Sequence, residues 1–275
     1  MNQRPQSSLG TRALGVFFMA AGVLVAIGFM TLAQRPEVAS VHGEIVDTVL
    51  NFLLVVVGVF IVVGHFLLGL WIWRGAAQTA KPGDGQVSKG IEIRIGIAVI
   101  AVMAIVSESG VIILGMPAWE QLYGTPPANA LEIEVVGKQF GWIVRYPGED
   151  GKFGQTLPEL VDDMDNPLGL DDEDPDAEDD IVLDAVMHVP LDRPVVVRLR
   201  SHDVLHSFSV AQLRVKQDLI PGLVTSVQFV ATRPDTFEIA CAELCGLGHY
   251  RMRGLLTAES PDAFAKWLSE QETFQ

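Results

Sequence analysis

Three long uncharged runs in the N-terminal part of this 275-residue chain leave few structures open to it. Ala13 to Ala33 and Thr48 to Trp73 carry no charge, and Ile95 to Trp119 is interrupted only by Glu108. Each is long enough to cross roughly 30 Å of hydrocarbon as a helix. With 49% hydrophobic residues, the chain then has room for a membrane anchor and one modest domain after it.

The basic residues set the orientation. Arg4 and Arg12 precede the first run, and Arg74, Lys81, Lys89 and Arg94 lie between the second and third. The segment from Gln34 to Asp47 instead sets Arg35 against Glu37, Glu44 and Asp47. Positive charge marks the cytoplasmic side, so the domain after the third span is expected outside. Thr31-Leu32-Ala33 has the small residues of a signal-peptidase site, whereas the run before it is longer than a usual signal core. Residues 1–34 are therefore a signal peptide or an extra transmembrane helix, with retention favoured. Residues 35–125 form a transmembrane hairpin with spans at about 48–73 and 91–119. Glu108 lies within a span, where an ionisable group is costly and faces protein or water; contact with a neighbouring subunit is expected.

Residues 126–275 read as an extracytoplasmic all-β domain. Leu131 to Val136, Phe140 to Tyr146, Ile181 to Val189, Val195 to Arg200, Leu223 to Thr232 and Thr236 to Ala240 are short runs rich in β-branched and aromatic residues. Pro and Gly separate them, which predicts a sandwich. Ser260-Pro261 is expected to start a C-terminal helix over 261–271. The charge of the chain, -15, is concentrated in one place. Residues 147–180 hold fourteen acids against Lys152 alone, broken by Pro158, Pro167 and Pro175. This stretch reads as a loop inserted between strands, either merely solvated or attracting a basic partner by its field. The glycine and ordered spacing of an EF-hand are missing from it. No nucleic-acid partner is expected for so acidic a chain.

Both cysteines fall in Cys241-Ala-Glu243-Leu-Cys245-Gly-Leu-Gly-His249-Tyr-Arg-Met252, and His206 lies upstream. Thiolate, imidazole and thioether together select copper. A mononuclear copper loop would be complete with Cys245, His249, Met252 and His206, which leaves Cys241 over. Two thiolates at this spacing suit a pair of copper ions, with the Glu243 carbonyl as a further ligand. A disulfide would close a short, strained loop. Structural zinc fits the Cys and His residues but seldom takes a thioether.

The pattern Cys-x-Glu-x-Cys-x-x-x-His-x-x-Met resembles the binuclear CuA motif of cytochrome c oxidase subunit II. Asp203-Val-Leu-His206-Ser207-Phe208, Arg214-Val-Lys216-Gln-Asp218, Pro221-Gly222 and Gly137-Lys-Gln139-Phe140-Gly-Trp142 extend the similarity from about Gly90 to the end. The resemblance implies an α+β membrane protein, its transmembrane helices followed by a cupredoxin-like Greek-key sandwich with the acidic insertion. It implies an extracytoplasmic copper domain on a multi-pass protein of the bacterial inner membrane. A cytochrome c type donor would reduce the copper pair. Electrons would pass to haem in subunit I, which also carries CuB, and oxygen would become water with protons pumped. Alongside the bilayer, subunit I and the other oxidase subunits are the expected partners.

Residue roles follow from the same resemblance. His206, Cys241, Glu243, Cys245, His249 and Met252 would bind copper, and Glu243 would also bind magnesium at the subunit I boundary. Phe140 and Trp142 mark where electrons enter. Phe140 stands where many relatives have an exposed tryptophan, which puts docking of a soluble cytochrome c in doubt and admits a membrane-tethered one. Glu92 stands where the family places a carboxylate at the mouth of a proton path, although pairing with Lys89 or Arg94 is equally open. The chain has no Cys-x-x-Cys-His motif, so it is expected to carry no haem. The competing class is a membrane-anchored cupredoxin that carries or delivers copper.

Overall fold

The computed structural model describes residues 8–32, 34–76 and 88–274. Arg4, Ala33 and Lys81, which entered the reading of orientation and cleavage, lie outside them. Two compact units are present. One holds the apolar helices up to Gly115, apart from Pro36–Val46; the other joins Pro36–Val46 to the chain from Met116 onward.

In the first unit, α1 (Ser8–Leu32), α2 (Val41–Gly75) and the helical stretch Lys89–Tyr123 are long and apolar enough to cross a membrane. The last is α3 (Lys89–Met103), a π-helical segment (Ala104–Glu108) and α4 (Ser109–Tyr123). Small residues let α1 and α2 approach closely, because a Cβ on Gly15 would lie 2.6 Å from the Gly69 carbonyl oxygen. Beside this contact His65 Nδ1 meets the Ile61 carbonyl at 2.8 Å, so the ring is hydrogen-bonded within its own helix.

The second unit is a sandwich of two five-stranded sheets. Its strands are β1 (Leu131–Lys138), β2 (Gly141–Tyr146), β3 (Ile181–Asp184), β4 (Val186–Pro190), β5 (Pro194–Ser201), β6 (His206–Val210), β7 (Val215–Leu219), β8 (Thr225–Val230), β9 (Asp235–Cys241) and β10 (Arg253–Glu259). One sheet runs β3-β2-β1-β5-β8 and the other β4-β10-β9-β6-β7. The β1–β5 and β4–β10 pairs are parallel and the rest antiparallel. Ile133, Trp142, Val197, Phe208, Phe237 and Leu256 fill the space between the sheets.

Three strands differ from the sequence expectation. β6, β7 and β10 were hidden in short or polar segments whose side chains serve the site or the surface. The expected strand Ile181–Val189 is broken at Ala185, whose φ of 56° turns the chain from one sheet into the other. Ala185 donates to the Trp142 carbonyl in the first sheet and accepts from Leu255 N in the second, both at 2.8 Å.

The acidic segment is an irregular loop, but it is not merely solvated. Leu168 and Leu170 are buried with Val136 and Ile143, so the loop covers the outer face of the first sheet and β1 and β2 are buried on both sides. Beneath it Arg145 pairs with Asp180 and, at 3.3 Å, with Glu134, while Arg200 meets Glu134 at 3.3 Å. Ser260 caps α5 (Pro261–Ser269) by accepting from Ala263 N at 3.3 Å. Trp267 of this helix stacks on His188, ring centres 3.9 Å apart, and His188 Nδ1 meets Glu259 at 2.7 Å. Burial pushes the Tyr146 phenol above its ordinary range, and its O–H is donated to the His188 carbonyl at 2.7 Å.

Candidate metal centre

Sheet pairing brings the two halves of the cysteine and histidine pattern together. β6 begins at His206, β9 ends at Cys241, and the two strands pair with Phe208 opposite Cys241. The chain after Cys241 turns back on itself. Ala242 N bonds the Ser207 carbonyl at 3.0 Å, His249 N the Gly246 carbonyl at 3.1 Å and Cys241 N the Met252 carbonyl at 3.3 Å. Met252 thereby returns beside Cys241 before β10 starts.

The donor atoms converge. Cys241 Sγ lies 3.8 Å from Cys245 Sγ, too far for a disulfide, and both thiols are free. Cys241 Sγ is 3.9 Å from His206 Nδ1 and 3.2 Å from the Glu243 carbonyl oxygen. Cys245 Sγ is 3.6 Å from His249 Nδ1 and 3.7 Å from Met252 Sδ. His206, Cys241 and Cys245 offer ligand atoms within 4.8 Å of one another. Each thiol thus has one imidazole nitrogen and one weaker donor beside it. Burial, with the Cys241 thiol adjacent, pushes the Cys245 thiol up to about 11, so a metal taking it as thiolate releases a proton.

A second layer holds these donors. His206 is fully buried, and its Nε2 bonds Asp203 Oδ1 at 2.8 Å, which aims Nδ1 at the thiols. Burial opposes ionisation of Asp203, yet the bonds from His206, Val204 N and Gln139 N hold its carboxyl below the usual range. Gln139 N donates to Asp203 Oδ2 at 2.8 Å, and its side-chain amide donates to the Cys245 carbonyl. Gly137 is required by closeness, since a Cβ there would sit 3.0 Å from the His206 ring. The Glu243 carboxylate meets Lys216 Nζ at 3.3 Å, and Lys216 also meets Asp218 at 3.0 Å.

The remaining expected residues fall elsewhere. Trp142 is 0% exposed and packs edge-on to His206, ring centres 6.2 Å apart, so it presents no face to a docking partner. Phe140 is half-buried against Gly246 and Gly248 of the ligand loop. Glu92 is exposed in the first turn of α3. The sequence reading passed over Leu244 and Leu247, which lie between the expected ligands and are 81% and 97% exposed. With Tyr250 and Leu205, also exposed, they give the site an apolar rim. Their signal was large apolar residues interleaved with ligands, where a buried loop would turn them inward.

Fold and site together define a membrane protein with apolar helices long enough to span a bilayer and a cupredoxin-like sandwich that gathers soft donor atoms able to hold a metal. Residues 131–258 match the family described as cytochrome C oxidase subunit II, periplasmic domain. The chain is 36% identical over 202 residues to the alternative cytochrome c oxidase subunit 2 of Bradyrhizobium diazoefficiens, covering 73% of this chain and 69% of that one. It is 28% identical over 229 residues to cytochrome c oxidase subunit 2 of Cereibacter sphaeroides, covering 80% and 74%. A crystal structure of the periplasmic domain of subunit II of cytochrome oxidase from Bradyrhizobium japonicum aligns with 28% identity and a TM-score of 0.39, over 53% of this chain and 95% of that one. The chain belongs to the cytochrome c oxidase subunit II family and is a subunit of an oxidase complex. That family implies copper, and the two thiols, two imidazoles and thioether gathered here are a donor set that fits it.

Proposed function

We propose that this chain receives electrons for a terminal respiratory oxidase through a binuclear copper centre, CuA. Cys241, Cys245, His206, His249, Met252 and the Glu243 carbonyl would hold the pair. A copper pair bound there supplies one-electron acceptance and release with little change of geometry. The observation that carries this reading is the second thiol: Cys241 sits 3.8 Å from Cys245 with its own imidazole and carbonyl neighbours. A single blue-copper ion would leave it without a role.

The protein's own residues supply position and access. Asp203 orients His206, and burial of His206, Cys245 and Met252 keeps water from that side. Half-exposed His249 and the rim of Leu244, Leu247 and Tyr250 offer the face on which a cytochrome c type donor, soluble or membrane-tethered, docks. The role of the centre would be to hand electrons on to haem in subunit I, for reduction of oxygen to water coupled to proton pumping. Trp142 contributes from the core, behind His206, and Phe140 from beneath the ligand loop. The location is a bacterial inner membrane with the sandwich on its outer face, a reading supported by the three apolar helices and the bacterial relatives.

Two finer roles belong to the same reading. Magnesium at the subunit I boundary would need the Glu243 carboxylate to exchange Lys216 for a cation completed by oxygen ligands from the other chain. Glu92, exposed at the start of α3, would stand at the mouth of a proton path.

Electron paramagnetic resonance of the copper-loaded full-length chain in detergent tests the proposal. Hyperfine structure from two equivalent coppers sharing one electron, lost in Cys241→Ser, is expected. A single-copper spectrum indifferent to that substitution would overturn it in favour of a copper-carrying cupredoxin.

A further inference from the structure

Arg12 and Arg74 mark the ends of two uncharged runs, and nothing in the copper reading uses them. Arg12 stands directly before Ala13, where the first run starts, and Arg74 directly after Trp73, where the second ends. Each therefore sits where hydrocarbon gives way to headgroups. α1 and α2 lie antiparallel, because a Cβ on Gly15 would meet Gly69 and Trp73 while one on Gly22 would meet His65 and Ile61. The two arginines thus share one end of the helix pair, the end that the positive-inside rule assigns to the cytoplasm.

The close approach at Gly15 builds a local geometry there. A Cβ on Gly15 would lie 2.9 Å from Trp73 Cβ, so the indole is set against α1. Arg12, one turn nearer the helix end, lays its guanidinium over that indole, 5.9 Å from the ring centre. A guanidinium at this distance is held by the ring face, while its N–H edge stays free for a planar acceptor. Topology alone asks only for charge on this side and does not require a cation stacked at headgroup level.

A second, independent observation concerns charge. Past the other end of α1, Arg35 is answered within the protein, by Asp47 at 3.3 Å and by Asn51. Among the described residues no carboxylate pairs with Arg12 or Arg74, and Glu92 of α3 is joined to neither. Both guanidinium groups are exposed.

We infer that Arg12, Trp73 and Arg74 form a site for the phosphate of an anionic phospholipid. Position selects the lipid over a soluble phosphate. Val16, one turn below Arg12 on the same side of α1, is exposed to take an acyl chain, a contact that a free anion cannot make. The inference rests on α1 being kept in the mature protein and not on the copper centre, so the resonance experiment above can fail without touching it.

Native mass spectrometry of the full-length chain in detergent, with dioleoyl phosphatidylglycerol or dioleoyl phosphatidylcholine added, tests the site. Phosphatidylglycerol is expected to bind more tightly, and Arg12→Gln should lower its affinity by about fivefold, the worth of one arginine at an anionic surface. Trp73→Leu keeps the charge and removes the ring, and should cost about two- to fivefold. Arg94→Gln, which removes a cation elsewhere on the same side, should leave the affinity unchanged. Glutamine and leucine are good helix formers, so the losses cannot be assigned to failed folding. Equal affinity for the two lipids, a preference that Arg12→Gln or Trp73→Leu leaves intact, displacement of the lipid by inorganic phosphate, or an intact mass showing a chain cleaved before Gln34 would each overturn the proposal.

Discussion

Asp203 and Gln139 supply none of the six donors, yet between them they join the two ligand loops. Asp203 receives His206 and the main chain of Gln139, and the Gln139 amide reaches the Cys245 carbonyl. Replacing such a supporting partner typically costs about 10- to 100-fold in metal affinity. Asp203→Asn is expected to lower copper affinity by that order in a competitive chelator titration; unchanged affinity would mean that packing alone orients His206. At Gly246 the backbone has φ 135°, and a Cβ would meet the Gln139 amide nitrogen at 2.8 Å. Gly246→Ala should therefore destabilise the domain by about 1–3 kcal/mol in thermal unfolding, with copper loading weakened in parallel. A shift in the ligand loop alone, with the melting temperature unmoved, would show that the loop yields.

Among the elements, the acidic insertion has a structural task besides its charge. It closes over the outer face of the first sheet, with Leu168 and Leu170 inserted and Arg145 held between Glu134 and Asp180. Removing the cation leaves the buried Asp180 carboxylate without its partner, while Glu134 keeps Arg200, so Arg145→Met should cost about 3–5 kcal/mol in urea denaturation. Leu168→Ala should cost about 2–5 kcal/mol by emptying part of the same cluster. The loop also has an acid limit. Main-chain N–H groups of Asp165 and Met164 hold the Asp162 carboxyl below its ordinary 3.8, and those of Gln155 and Asp176 do the same for Asp174. Groups with lowered folded values stabilise above their ordinary value and lose that contribution as pH falls through the lowered one. Amide exchange at Leu168 and Leu170 is expected to accelerate below pH 3.8 before the core strands respond.

For the whole molecule, the acids that the insertion leaves in solvent, among them Glu159, Asp165, Glu173 and Glu178, would attract a basic partner. Neutralising these four to their amides should slow reduction by a basic cytochrome c at low salt and flatten the ionic-strength dependence, with stopped-flow rates converging at high salt. Deleting the whole segment would not test this, because Leu168, Leu170 and Asp180 would leave with it. Equal salt dependence in the two proteins would reduce the insertion to its structural task.

The spans, the sandwich class and the soft character of the donor set were legible from composition and spacing. Apolar length and ligand type are local properties that survive whatever the rest of the chain does. Other features depended on what each segment meets. β6 and β7 are strands because β9 and the rest of their sheet pair with them, not because their own residues prefer it. Trp142 reads equally well as a docking aromatic or a core one, and only the opposite sheet buries it behind His206. The fourteen acids look fully solvated in sequence, yet two leucines and one arginine turn their loop into a cover. Sequence records the chemistry each residue can offer; burial and pairing across distant segments decide which of it faces the site, the core or the solvent.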